Sequence, residues 1–525
     1  MSRLEVQAEL VKLARLFAVP KESLQSYAAL DACHLRAIRE SASAAIYDDA
    51  RPVLGRIAAA SKLLPVTAIA LVGEKVFGPM LCARVAGLIA PKRALEVALK
   101  LPDLFLANVS SLIDPRSAKD IIAEFPVPRV KAIAALLIQR GDYVTMGRFV
   151  DYLPRETIRS VIESIRDNTV LLHVAFYVEN KSRLNDIMYL LPESRLREIV
   201  RLAGGAHSET WPEALALMNQ VSEQWRGRIG DLTAAEDTDF LAGLLRRTQE
   251  ADLWDALLPV ISCMSVVSRR KLAQIPELAD AAVLQGIIHS AHANGLWAEL
   301  LPLVGFMGAD ARKEAAQVVE QLSQEVLVGL IEATSAGNLW PNLIGILSDM
   351  DETEKRQIAR LIGEQDESIM QQLLEAVHAK DLWGQVLPMV TYMNKPARKT
   401  ASRVVHGLSE DVLQSLLTTA DALNLWSDLI GILVDMEKSE QQQVVGLILL
   451  QADGVLSSLL EASHKKNLWG DLLPLLHDLA DADLHRLARL LPQHADLQEL
   501  EAQAVRLGLW QRLKIPLREK FTGAV

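Results

Sequence analysis

Three histidines in one register, His292, His378 and His464, stand 86 residues apart, and imidazole is the commonest protein ligand for a transition metal. Ser335 and Asp421 occupy the same register between them. Spacing argues against a shared ion. If the intervening residues are stacked helices, at about 8–10 Å per packed layer, ligands two repeats apart lie on the order of 20 Å from each other, whereas metal–ligand bonds are about 2 Å long. His289 and His292 share a helical face but bring no third ligand, and no HExxH motif occurs. The histidines therefore read as solvated duplicates, and no metal or other cofactor is expected. Nucleophilic and phosphate chemistry is equally unsupported: the chain has no GxSxG elbow, no P-loop and no GxGxxG turn after a strand. Cys33, Cys82 and Cys263 are far apart, form no CxxC pair, and read as buried small residues in a reducing compartment. The carboxylate pairs Asp349/Asp351 and Asp435/Glu437 fall in turns, where solvation is expected. No catalytic residue is assigned, and the reading is of a protein that is not an enzyme.

The elements that would carry these groups are written in tandem. Trp211, Trp254, Trp297, Trp340, Trp383, Trp426 and Trp469 follow one another at intervals of 43, and Trp510 comes 41 after the last. From Trp254 onward each is preceded by leucine, and ten residues after each comes Met264, Met307, Met350, Met393, Met436 and then Leu479. A fixed period of this size marks stacked repeats whose units cannot bury their apolar faces alone. Each unit reads as three helices. "LWAELLPLVGFM" has apolar residues at helical spacing, "GAD" interrupts it, and "ARKEAAQVVEQL" and "SQEVLVGLIEATSAGN" carry stripes of their own. Ser323 and Asp366 stand where N-caps are wanted, and the Asn or Gly before Leu-Trp stands where a C-cap is wanted. Tryptophan and methionine in so constant a register read as core between repeats. Residues 312–350 and 398–436 share 21 identities in 39 positions, and "LLP" or "VLP" alternates with "LIG" after successive tryptophans, so an 86-residue block has been duplicated.

"LLPLVGFMGADARKEAAQVV" (300–319) resembles a HEAT repeat, with its Leu-Leu-Pro helix, Asp-containing turn and basic, Ala-rich second helix. The third helix and the 43-residue length are closer to armadillo repeats. The resemblance covers about 211–510 and implies an all-α, right-handed α-solenoid of HEAT/armadillo-like repeats with a concave binding groove and, typically, no catalysis. One departure is plain. In nuclear-import armadillo proteins Trp and Asn ladders on the third helix grip basic peptides, whereas here the tryptophans open the first helix, so that binding mode does not carry over.

The amino-terminal part repeats less regularly. "FVDYLPRETIRSVIESI" (149–165) and "IMYLLPESRLREIVRLA" (187–203) match at an offset of 38, and "LIAPKRALEVALKL" and "LIDPRSAKDIIAEF" each place Pro-Lys or Pro-Arg at a helix start. "GGAHSETWP" (204–212) is the expected boundary, giving an irregular helical region 1–205 and a regular solenoid 206–525, with repeats from 211, 254, 297, 340, 383, 426 and 469 and a terminal cap from 510. Charge divides along the same line. Residues 1–205 hold 28 Lys+Arg against 22 Asp+Glu, and the remainder 27 against 44. The acidic part disfavours a nucleic-acid partner.

A protein partner held along one solenoid face is the expected function. If third helices line that face, the positions eight before each tryptophan, Arg246, His289, Glu332, Glu375, Thr418 and Glu461, form the contact row. The alternative is a peripheral binder of anionic lipid, or of an apolar ligand, through the basic, apolar stretch 51–100, with Arg51, Arg56, Lys62, Lys92 and Arg93 as contacts. Within that stretch, residues 63–90 are apolar but interrupted by Glu74, Lys75 and Arg84, and read as a buried helical hairpin rather than a membrane span. The amino terminus lacks the apolar core of a signal peptide, so a cytoplasmic protein, peripheral to a membrane in the alternative, is expected.

Overall fold

The computed structural model describes residues 3–205, 210–407, 409–492 and 497–522; among them there are helices and no strand. The chain is an all-α solenoid of helical repeats, and by packing it divides into Met1–Glu277 and Leu278–Val525, the amino-terminal and carboxyl-terminal units. Residues 206–209, at the expected boundary, lie outside the described residues.

In the carboxyl-terminal unit helices begin at Trp297, Trp340, Trp383, Trp426 and Trp469, and two more follow each before the next tryptophan. One repeat is Trp340–Asp349, Glu352–Gly363 and Glu367–Ala379; the next is Trp383–Val390, Lys395–His406 and Glu410–Ala422. First helices pack on first helices of the neighbour, third on third, and each second helix on the first helix of the repeat that follows. The "Asn-Leu-Trp" phrase has a backbone cause. Asn338, Asp381, Asn424 and Asn467 adopt φ of 52–55°, with Gly295 at 67° in the same place. That left-handed residue ends the third helix, and the following leucine N–H returns to the helix: Leu339 to the Thr334 carbonyl at 2.9 Å, Leu425 to Ala420 at 2.8 Å. This is the Schellman closure, which favours Gly or Asn at the turning residue. The tryptophan that follows starts the next helix and is driven inward. Trp340 and Trp426 have no exposed surface, and Met307, Met350, Met393 and Met436 are buried with them. Proline at the sixth helical position cannot donate its backbone bond. It stands there in Trp297–Val304 and Trp383–Val390, of 8 residues, and in Trp254–Cys263, of 10, while glycine takes the position in Trp340–Asp349 and Trp426–Asp435, of 10.

The amino-terminal unit opens with Arg3–Phe17 and the long Ala32–Ala60, which pack on each other. Short helices follow, among them Pro91–Ala98, Asp103–Leu112, Val127–Gln139, Tyr143–Val150, Arg155–Ser164, Asn168–Phe176, Lys181–Met188 and Glu193–Ala203, then Trp211–Gln220 and Glu223–Ala234. Prolines 102, 126, 154 and 192 are N-caps, and Pro91 opens its helix as expected. Pro115 instead begins a 3₁₀ turn, Pro115–Ala118. Arginines close the helix ends. Arg129 donates to the Leu101 carbonyl, Arg195 to Ile162 (2.9 Å) and Ile165, and Arg183 to Asp151 (3.1 Å). Part of the cationic surplus of this region is thus spent on orphan carbonyls at helix carboxyl ends.

Candidate binding sites

The histidine register belongs to the tryptophans. His292 and His464 lie with ring centroids 6.3 and 6.4 Å from Trp297 and Trp469, and Asp421, in the same register, accepts from the Trp426 indole N–H at 3.3 Å. In the amino-terminal unit Gln249 does the same for Trp254 at 2.6 Å. These histidines are half-buried beside the indoles, not the solvated duplicates their polarity suggests. The turn carboxylates are also engaged. Asp435 accepts from Arg398 Nε at 2.6 Å while Arg398 Nη1 donates to the Met393 carbonyl at 3.1 Å, and Arg312 repeats both contacts with Asp349 and Met307 one block earlier. Asp351 and Glu437 cap helices through reciprocal boxes with Glu354 and Glu440. An arginine from one repeat thus binds the first helix of the next, so Asp349 and Asp435 are not the solvated acids expected, whereas Asp351 and Glu437 are exposed.

The third-helix row is at the surface. His289, Glu332, Glu375 and Thr418 are exposed and Glu461 is half-exposed in the carboxyl-terminal unit. Glu375 accepts from Gln371 at 2.9 Å, and Glu461 pairs with Lys465 at 2.6 Å. Neighbouring repeats are tied along this side by Gln414 and Gln451, which exchange amide hydrogen bonds of 3.0 and 2.9 Å. Arg246, in the amino-terminal unit, is exposed and paired with Glu277 at 2.7 Å.

The 51–100 stretch differs from expectation. Val66–Val72 continues through a π-helical turn, Gly73–Phe77, into Gly78–Ala86, with Gly78 at φ 73°. Residues 66–86 are long and apolar enough to cross a membrane by length and composition, yet only 17% of the apolar window is buried. The expected buried hairpin is therefore a surface: Leu63 is 87% exposed and Val76 72%, with Leu71, Met80 and Phe77 also exposed. Pro91–Ala98 packs on the first segment, and Asp103–Leu112 and Ala32–Ala60 on the second, and these side chains are left uncovered. Arg56, Lys62, Lys75 and Lys92 are exposed in the same stretch. Arg93 is not free: it donates to the Ser61 carbonyl at 2.9 Å and to that of Leu64. The side chain of Arg51 lies outside the described residues. Cys82, half-buried beneath the π turn, has its thiol pushed up to about 11 by burial, whereas Cys33 is exposed, contrary to the reading of all three cysteines as buried.

Two features were not legible in the sequence. One is a buried charge network in which Glu9 meets Lys12 (3.0 Å) and Arg39 (3.1 Å), and Glu179 meets Arg39 (3.0 Å). Burial raises the Glu9 carboxyl, but Lys12, Arg39 and Arg36 together hold it below its ordinary value; burial likewise lowers Lys12. Arg15 binds both oxygens of Asp142, which also accepts from Ser111 Oγ at 2.7 Å. This network seats Arg3–Phe17 against the helix stack. Asp31, Cys33 and His34 bring potential ligand atoms within 4.8 Å of one another. All three are exposed, and Asp31 caps Ala32–Ala60 by accepting from His34 N at 2.9 Å, which accounts for their proximity.

The other feature is a cavity of about 310 Å³ inside the amino-terminal unit. Its wall runs from Ala86 to Thr233 and is almost wholly aliphatic and aromatic, with Ser110 and Thr233 the hydroxyls among the lining residues. Thr233 Oγ1 is already bound to the Ile229 carbonyl at 2.9 Å. Ile133, Val161, Leu171, Val174 and Ile199 line it and are only half-buried, so interior apolar surface is left uncovered by protein. In the carboxyl-terminal unit, voids beside Trp426 and Trp297 measure about 20 and 30 Å³.

No family model and no curated protein matches this chain. Among solved structures it is similar to human Puf-A (13% identity, 88% of this chain and 99% of that one, TM-score 0.23). It is also similar to a homology model of the full-length AP-3 complex in an intermediate open conformation (11%, 90% and 94%, TM-score 0.18), and to the pentatricopeptide repeat protein PPR10 in complex with an 18-nucleotide RNA element (12%, 91% and 94%, TM-score 0.13). At these TM-scores the chains do not superpose as wholes, and nothing about ligands passes from them to this protein.

Proposed function

We propose that this protein is a non-catalytic scaffold that holds a protein partner along the third helices of its carboxyl-terminal unit. The observation that supports this is the division of labour within each repeat. Tryptophan and methionine are taken into the core and the histidine or carboxylate beside the indole is half-buried, while His289, Glu332, Glu375, Thr418 and Glu461 recur outside it in one register. A polar, mainly acidic row of this kind suits a basic or polar partner. Exposed charge changes of this sort leave stability within about 0.5 kcal/mol. The triple variant Glu332→Lys/Glu375→Lys/Glu461→Lys should therefore melt like the parent and lose the partners that crosslink to this face in cell extract. Retention of the same crosslinked partners would contradict the assignment.

A second reading is favoured by the exposed apolar patch. Leu63, Leu71, Val76 and Met80, with Lys62, Lys75 and Lys92 exposed in the same stretch, have the composition of a surface that meets anionic lipid. Flotation with phosphatidylcholine vesicles, with and without phosphatidylserine, tests it. Salt-sensitive flotation with the anionic vesicles only, lost in Leu71→Glu/Val76→Glu, is the expected result; a protein that stays at the bottom of both gradients excludes this reading.

A further inference from the structure

We propose that the cavity of the amino-terminal unit is a binding site for a single long, unbranched aliphatic chain. The site differs in its residues from the partner face and from the exposed patch, since its lining lies between residues 86 and 233.

Three observations select this ligand class. The first is chemistry: the wall offers methyl, methylene and ring surface, and of its two hydroxyls, Ser110 and Thr233, that of Thr233 is already bonded within its helix. Water in such a space would lack the two to four polar partners it needs, and a polar or charged ligand would be stripped of hydration without replacement. The second is size. At about 310 Å³ the space falls at the lower end of the range of about 300–1,000 Å³ typical of small-molecule sites. The third is shape. Helices as far apart in the stack as Pro91–Ala98 (Ala94, Ala98), Tyr143–Val150 (Met146, Phe149) and Glu193–Ala203 (Leu196, Ile199) contribute to one wall. A void that touches so many successive layers at this volume is long and narrow, which fits a flexible chain and excludes a compact ring system.

The sequence supplies the reason the space exists. All nine tryptophans lie at or after Trp211. Trp211 itself is part of the cavity wall, and the lining extends no further along the chain than Thr233. Where the tryptophan series runs, an indole fills the space between layers. Before it, the layers are built from Ala, Val, Ile and Leu, such as Ala134, Val161 and Ala175, and the space stays open.

The test uses the full chain, stripped of bound lipid, titrated with cis-parinaric acid, a polyene fatty acid whose fluorescence rises in an apolar site. Saturation at one per chain, little changed by salt, is expected. Hexadecanoic acid should displace the probe at least tenfold more effectively than octanoic acid, because affinity follows the length of chain buried. A lysophosphatidylcholine arm separates the two sources of such a chain: displacement by it as well assigns a lipid-borne chain, displacement by the free acid alone assigns a fatty acid. The variant Val161→Phe/Ala175→Phe fills the void and should weaken probe binding at least tenfold while its melting temperature holds or rises. The wild-type stoichiometry and chain-length dependence decide the matter even if that variant folds poorly. Absence of saturable binding, several probe molecules per chain, or undiminished binding to a folded filled variant would overturn the proposal.

Discussion

The carboxyl-terminal unit and the 86–233 part of the amino-terminal unit solve the same packing problem with different residues. Both stack short helices whose apolar faces meet in a common interior. In the first, an indole enters between layers at every repeat, the Schellman turn before it fixes its entry, and voids of about 20–30 Å³ remain. In the second, aliphatic residues face a space of about 310 Å³. Apolar composition alone does not close a solenoid. A large side chain delivered at the layer period does, and where it is missing the interior becomes available to something else. Arginines bind helix-end carbonyls in both, Arg195 in the amino-terminal unit and Arg486 in the carboxyl-terminal one, whereas the Arg312 and Arg398 links to the next repeat are of the carboxyl-terminal unit and the Arg15 contact seats the first helix of the other.

The comparison is broken most severely by making the carboxyl-terminal unit resemble the other. Trp340→Ala removes a wholly buried indole and should cost about 3–5 kcal/mol. In a stack held by nearest neighbours the loss should stay local. Hydrogen exchange should then rise over roughly 300–380, with Met1–Glu277 unchanged; uniform deprotection would speak against it. A smaller effect, about 2 kcal/mol for charge-assisted bonds, is expected from Arg398→Ala, which frees Asp435 and the Met393 carbonyl together. Denaturant midpoints of Arg398→Ala, Asp435→Asn and the double variant should be non-additive, and additive costs would show that the pair is not coupled.

In the amino-terminal unit the matching test is Asp142. Burial raises this carboxyl, but Arg15, Ser111 and Thr145 outweigh burial and hold it at about 2, against an ordinary 3.8. Its stabilising share is therefore present in full above the ordinary value and is lost as pH falls through about 2. Asp142→Asn should cost about 1–2 kcal/mol at neutral pH, after allowing for partial solvent exposure, and should flatten the acid limb of the melting curve. An unchanged acid limb would show that the Arg15 contact does not hold the first helix. The smallest effect belongs to the turn that delivers the indole. Asn338 is left-handed at φ 52°, so Asn338→Ala should lose roughly 1 kcal/mol while Asn338→Gly is near neutral, as Gly295 in the equivalent position implies.

The sequence displayed what recurs. Tryptophan spacing marked the helix starts, and the Asn or Gly before Leu-Trp marked the helix ends, because both are local consequences of backbone geometry and burial. Ser323 caps its helix through Val326 N as read, whereas Asp366 stands at its N-cap without a side-chain bond. The readings that failed required knowledge of neighbours. His292 looked solvated until Trp297 was seen beside it, and Asp349 looked free until Arg312 reached it from the preceding repeat. The 63–90 stretch looked buried because it is apolar, but nothing in composition says which apolar segment lacks a covering helix. A void is harder still to read, since it is the absence of a fit among residues from many helices. The single available sign was that no tryptophan precedes Trp211.

The central claim, that the two units differ in whether their interior is filled, is tested most directly by hydrogen exchange of the full chain with and without saturating hexadecanoic acid. A ligand that binds only the native state adds protection in proportion to its occupancy where it binds. Slower exchange confined to helices between residues 86 and 233, with Leu278–Val525 unchanged, is the predicted result. Equal protection of both units, or none in either, would contradict the account.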